Sequence, residues 1–184
     1  AAAQTGSLMH GDAYVLNGSK RYITNAANAG LFTVMARSNP DVKGAGGVSA
    51  FLVPSDLPGI TVGPPEKKMG QHGAQIHDST FDNVRVPVEN RLGEEGEGFK
   101  VAMQVLDKGR LHIGALCVGV AERLIADCVA YAGERKQFGQ ALSHFQMIQA
   151  MIADSKTECM AARALVLESA RKRDAGQTIV LEAA

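Results

Sequence analysis

The chain has 184 residues, 46% hydrophobic and 21% charged, an ordinary globular balance with room for one or two domains that argues against disorder. Nineteen lysines and arginines cancel nineteen aspartates and glutamates, so no net field draws the protein to nucleic acid or to an anionic membrane. No apolar run approaches the roughly 18–20 residues that span a bilayer, so neither a nucleic acid nor a membrane is an expected partner.

The opening Ala-Ala-Ala-Gln-Thr-Gly run lacks the charged and apolar regions of a secretory signal, which points to the cytoplasm or another soluble, reducing compartment. The chain starts without Met and stops inside a helical pattern, so a piece of a longer protein is expected. Strand signals then fill residues 1–87. Asn17-Gly18, between apolar runs at 14–16 and 21–24, predicts a tight antiparallel hairpin, because both residues tolerate the positive φ of a type I′ turn. The second strand ends in Tyr22, Ile23, Thr24 and Asn25. An aromatic, a branched apolar residue, a hydroxyl and an amide offer a stacking face and hydrogen bonds to a flat heterocycle; a hairpin with one face in a core is the plainer reading. Residues 31–37 form a mostly apolar strand suited to burial on both faces. A loop at 38–47, strands at 48–53, 60–62 and 76–86, and turns at Leu57-Pro58-Gly59 and Gly63-Pro64-Pro65 complete the β pattern. Short strands with turn signals about every ten residues argue for an antiparallel sandwich or barrel.

Between residues 88 and 98 the composition changes, and Gly93, Gly96 and Gly98 alternate with Glu94, Glu95 and Glu97. This places the domain boundary, with domains at 1–92 and 93–184. Residues 99–106 begin a helix, and Gly109 predicts an irregularity at 107–110. Ile113, Cys117, Val120, Leu124, Cys128 and Tyr131 then mark one apolar stripe of a helix ending near Gly133. After a connector at 134–143, Phe145, Ile148, Ile152, Cys159, Ala162 and Val166 mark a second helix that persists to Arg173, with Gly176 as its stop. Two long antiparallel helices have more apolar surface than they can cover, so the predicted class is α+β: a β-barrel or sandwich followed by an incomplete four-helix bundle that needs further helices or a partner subunit. Cys117, Cys128 and Cys159 form an odd set without metal-ligand spacing and read as buried small hydrophobes.

The common catalytic motifs are absent: there is no P-loop, no G-x-G-x-x-G after a strand, no G-x-S-x-G and no H-E-x-x-H. The histidines at 10, 72, 77, 112 and 144 show no i,i+4 pairing, which argues against zinc. Arg135 and Lys136 lie just beyond a helix beside Gln137, Phe138 and Gly139. A cationic fork there either holds a pyrophosphate or caps the helix C-terminus. Asp107 and Arg110, at i,i+3, either pair as ions or meet a polar ligand at the expected irregularity.

Four runs stand together in order: YVLNGSKRYITN at 14–25, FDNVRVPVENRLGEEGE at 81–97, GFKVAMQVLDKGR at 98–110, and YAGERKQFG at 131–139 followed by Phe145-Gln146. In this order and spacing the chain resembles the acyl-CoA dehydrogenases over essentially its whole length. The resemblance implies a flavoenzyme's central β domain, without its opening strand, followed by the first half of its C-terminal four-helix domain. It implies FAD as cofactor, with Tyr22, Ile23 and Thr24 against the flavin ring and Thr24 near N5; the family more often has Trp where this chain has Tyr22. It implies that Arg135, Gln137, Phe138 and Gln146 hold the pyrophosphate and adenosine side across a subunit interface. Asp107 and Arg110 match the segment lining the thioester and pantetheine of the substrate, and residues 43–46 fall where some members touch CoA.

The implied reaction is the α,β-dehydrogenation of an acyl-CoA thioester in fatty-acid β-oxidation. A carboxylate takes the α-proton, the β-hydrogen leaves as hydride to the flavin, and trans-2-enoyl-CoA results. The implied partners are acyl-CoA, an electron-transfer flavoprotein, and further copies in a dimer or tetramer. Some members place the base one residue before the arginine that corresponds to Arg110. Here that residue is Gly109, so the base is expected outside the chain, with Asp107 as a binding residue and the 184 residues inactive alone. A flavin oxidase or monooxygenase of the same superfamily and a catalytically silent scaffold are the other readings.

Overall fold

Alternating side chains build the first half of the chain, because a strand sends every second residue to the same face of its sheet. In the computed structural model, which describes residues 5–183, the strands are β1 (Gly6–His10), β2 (Ala13–Thr24), β3 (Leu31–Arg37), β4 (Val48–Pro54), β5 (Ile60–Pro65), β6 (Ile76–Pro87) and β7 (Arg91–Leu92). They form one sheet in the order β5-β6-β2-β1-β3-β4-β7. Every pairing is antiparallel except β1 with β3, which meet through Gly6 and Arg37. The sheet is open, and it curls on itself as a sandwich does. Tyr14 of β2 meets Phe51 of β4 at 4.8 Å between ring centroids, and Phe32 of β3 meets Phe81 of β6 edge-on at 6.2 Å. Leu16, Val34, Val53, Val84 and Val86 complete this interior. The hydroxyl of buried Tyr14 accepts from Arg91 Nη1 at 3.0 Å, which satisfies its one polar atom. The α+β class read from the sequence is the one observed.

The hairpin expected at Asn17-Gly18 does not form. Residues 13–24 are one continuous strand, and Asn17 lies opposite a bulge in β6, where Asp82 and Asn83 occupy the space of one residue. Asn83 has φ 52°, and the Asn17 amide fills the gap: its Oδ1 accepts from the Asn83 N–H at 2.8 Å and its Nδ2 donates to Asn83 Oδ1 at 3.2 Å. The true first hairpin joins β1 to β2 through Gly11, whose φ is 66°. Nor is β3 buried on both faces. Its residues alternate, with Leu31 52% exposed and Phe32 and Val34 buried, because no second layer covers the outer face among the described residues.

The chain separates into a unit at Ala1–Met103 and a unit at Gln104–Ala184. Helix α1 (Gly98–Glu134), which starts in the first unit and runs on into the second, continues unbroken through Gly109, so the predicted irregularity is absent: a lone glycine costs a helix only about 1 kcal/mol. Short strands β8 (Lys136–Gln137) and β9 (Gln140–Ala141) follow, then helix α2 (Gln146–Asp174). Helix α2 ends in a Schellman turn, with Gly176 N–H on Arg173 O at 2.9 Å, Gln177 N–H on Lys172 O at 3.0 Å, and Gly176 at φ 75°. The two helices run antiparallel, with Cys159 Sγ against Val118 O and Arg163 Nε 3.1 Å from Glu122. Cys159 is buried, but Cys117 and Cys128 are exposed, contrary to expectation. One seam of the pair is covered, and both residues lie on the open groove beside it, with Leu124, Tyr131 and Met151.

Candidate functional site

The far end of β2 departs from regular pairing. Lys20 faces Ser79 and Ile23 faces His77, so Arg21 and Tyr22 together face the single residue Asp78. This bulge lies on β2, where the first lay on β6. Tyr22 takes φ 59°, a left-handed conformation that side chains with a Cβ adopt at a cost of about 1–2 kcal/mol. Asp78 supports it: Oδ1 accepts the Tyr22 N–H at 3.2 Å, and Oδ2 accepts from Arg21 Nε at 3.0 Å. Arg21 also approaches Glu66 at 3.7 Å, and its Cζ sits 5.0 Å from the Tyr22 ring centroid. The charge of Asp78, foremost, holds the Arg21 guanidinium above its usual range.

An inserted residue shifts the inside-outside phase of everything after it. Tyr22 is 63% exposed, Ile23 packs half-buried against the core, and Thr24 is exposed again. Asn25 then turns at φ 57° and its N–H donates to Gln75 O at 2.7 Å, which pins the strand end. Lys20 adds a second anchor, donating to Met35 O of β3 at 2.6 Å, and burial pushes its ammonium pKa down. The result is an aromatic ledge, an apolar floor and a hydroxyl within three residues.

In the second unit, Arg135 ends the helical ladder through its N–H to Tyr131 O at 2.9 Å, and its carbonyl accepts from Leu142 N at 2.8 Å. Between these bonds the chain makes a two-residue turn at Phe138-Gly139, with φ 52° and 83°, the pair of positive values a type I′ turn requires. Arg135, Lys136, Gln137 and Gln146 are exposed, and Phe138 is 93% exposed, edge-on to Phe145 at 6.4 Å. The hairpin therefore brings a cation, an amide and an aromatic together.

Asp107 and Arg110 lie on unbroken helix and pair at 3.7 Å, with Arg110 the more exposed. At residues 43–46 the loop is exposed and braced by Arg37, whose Nη1 donates to Val42 O at 2.8 Å and Nη2 to Gly44 O at 3.3 Å. Among the described residues, no three metal-ligating side chains converge, and no helix is long and apolar enough to cross a membrane. Sequence reasoning missed Asp78. Its one signal was an aspartate, a residue strands disfavour, in the middle of a clear strand pattern.

Residues 1–84 match the family model described as "Acyl-CoA dehydrogenase, middle domain", and residues 96–184 match "Acyl-CoA dehydrogenase, C-terminal domain". A short-chain-specific acyl-CoA dehydrogenase of Megasphaera elsdenii is 44% identical over 171 residues, covering 93% of this chain and 44% of that protein. The solved butyryl-CoA dehydrogenase of Megasphaera elsdenii superposes with a TM-score of 0.93 at 43% identity, over 98% of this chain and 47% of that one. A structure described as PigA with FAD and proline superposes with a TM-score of 0.95 at 32% identity, over 98% of this chain and 47% of that one. The chain thus spans about half the length of the proteins it matches.

Proposed function

The chain belongs to the acyl-CoA dehydrogenase family, and from that premise we propose that the protein carrying it is an FAD-dependent enzyme that converts an acyl-CoA thioester to the trans-2-enoyl-CoA. The observation that carries this reading is the exposed ring of Tyr22, turned out of the sheet by a bulge and followed by the exposed hydroxyl of Thr24. These residues fit a flavin: a planar tricyclic ring needs an aromatic or apolar ledge and a few polar contacts at its edge.

In this reading Tyr22 and Ile23 give the ring its wall, and Thr24 offers it a hydrogen bond. Arg135, with Gln137, Phe138 and Gln146, suits the pyrophosphate and adenosine end, contributed from a neighbouring chain. When bound, FAD supplies the two-electron acceptor for the hydrogen that leaves Cβ as hydride. Asp107 and Arg110 orient the thioester end of the substrate. Some members of the family place the base at the position that is Gly109 here, which has no side chain to take the α-proton, and on that resemblance the proton is assigned to a carboxylate outside these 184 residues. Electrons pass onward to an electron-transfer flavoprotein, and the working form is a homo-oligomer. Support for the cofactor comes from the similar PigA chain, solved with FAD.

The test is purification of the full-length protein and anaerobic titration with short acyl-CoAs. The expected result is a yellow protein whose visible absorption bleaches with enoyl-CoA formation. Arg135→Ala should raise the FAD dissociation constant about tenfold, a loss of about 1.4 kcal/mol for a charge-assisted contact. A colourless protein that takes up no FAD rejects the reading. Enoyl-CoA formation by residues 1–184 alone rejects the assignment of the base.

A further inference from the structure

Asp78 lies on β6 opposite the bulge, and its two oxygens have separate jobs. One accepts the backbone N–H of Tyr22, in the residue held at φ 59°. The other accepts Nε of Arg21 and fixes the guanidinium 5.0 Å from the Tyr22 ring centroid. The bulge in β6 shows what mere filling requires: a neutral amide, Asn17, meets both partners on Asn83. At the second bulge both partners are donors, so an amide cannot accept from both with its two ends, whereas a carboxylate can.

Resting on the flavin reading above, we propose that Asp78 is a positioning residue for the cofactor, acting through Tyr22. It holds the strained backbone that turns the ring outward, and it tethers Arg21 on one side of the ring. Without it, the loss of the Oδ1 bond leaves the left-handed conformation of Tyr22 to relax toward ordinary strand geometry, which would move the ring out of its outward position.

The test is a double-mutant cycle in the full-length protein, read as FAD dissociation constant and as quenching of flavin fluorescence, which ring stacking produces, with circular dichroism as the check on folding. Asp78→Ala should raise the dissociation constant about tenfold and restore flavin emission. In a Tyr22→Ala background the same change should matter less than about twofold, because the residue through which Asp78 acts is gone. Asp78→Asn keeps the acceptor for the Tyr22 N–H and should raise the dissociation constant only about threefold, and only when Tyr22 is present; if Asp78→Ala fails to fold, Asp78→Asn serves in its place. An equal effect with and without Tyr22 overturns the proposal, as does an unchanged dissociation constant in Asp78→Ala alongside a weakened Tyr22→Ala. Unchanged FAD affinity in Tyr22→Ala rejects the flavin reading itself, and the proposal with it.

Discussion

The sheet unit and the helical unit bury their apolar residues on different terms. In the first, Tyr14, Leu16, Phe51, Val53, Val84 and Val86 are fully enclosed by a single curled sheet. In the second, Leu116, Val120, Leu124, Tyr131 and Met151 remain more than half exposed along two long helices. A sheet can fold over its own apolar face, whereas two helices share only one seam and leave the flanks of each stripe open. Stability and binding geometry therefore separate: the first unit has an enclosed interior beside its strained bulge, and the second leaves apolar surface open along both helices.

The largest test of this contrast is Phe51→Ala, which should cost about 3–5 kcal/mol, read by urea denaturation, because the fully buried ring leaves a cavity. Leu124→Ala, at a side chain 58% exposed, should cost less than about 1 kcal/mol in this chain. Equal losses would break the comparison. A second pair sharpens it at the backbone. Gly59 has φ 92°, and a Cβ there would run into the Asp82 carbonyl, whose own N–H donates to Gly59 O at 2.9 Å. Gly59→Ala should cost about 2 kcal/mol or more. Gly109 sits in α1 with open space around it among the described residues, so Gly109→Ala should stabilise by about 0.5–1 kcal/mol.

What the sequence revealed follows from the same physics. The strand at Leu31–Arg37 was legible to the residue, because alternation and flanking turn residues act locally. Strand β1 was missed: Gly6, Ser7, Leu8, Met9 and His10 include no β-branched or ring-rich run, and their pairing with β2 supplies what propensity lacks. The Asn17-Gly18 signal failed while Phe138-Gly139, a weaker sequence, made the actual type I′ turn. Turn residues report which φ values are cheap, but the partner strand decides whether the chain turns. Of the candidate site, Tyr22, Ile23 and Thr24 could be singled out by residue type. The bulge that turns Tyr22 outward could not, since it depends on a register set 56 residues away at Asp78.

The smallest expected effect lies at the exit of the sheet unit, where an exposed pair should matter far less than any buried ring. Lys100 Nζ donates to Glu97 Oε1 at 3.1 Å, and the Glu94 N–H donates to Glu97 Oε2 at 3.3 Å. Both bonds favour the ionised form, Lys100 most, and hold the Glu97 carboxyl below its usual range. A carboxylate whose folded-state pKa is depressed adds stability above its ordinary pKa and loses it as pH falls through the lower folded value. Lys100→Gln should raise the Glu97 pKa in an NMR titration, but only part of the way, because the Glu94 bond remains. Away from acid, the urea midpoint should barely move, as expected of a solvent-screened pair. A midpoint shift near that of Phe51→Ala would mean that the charges around residues 94–100, and not the curled interior, hold this unit together.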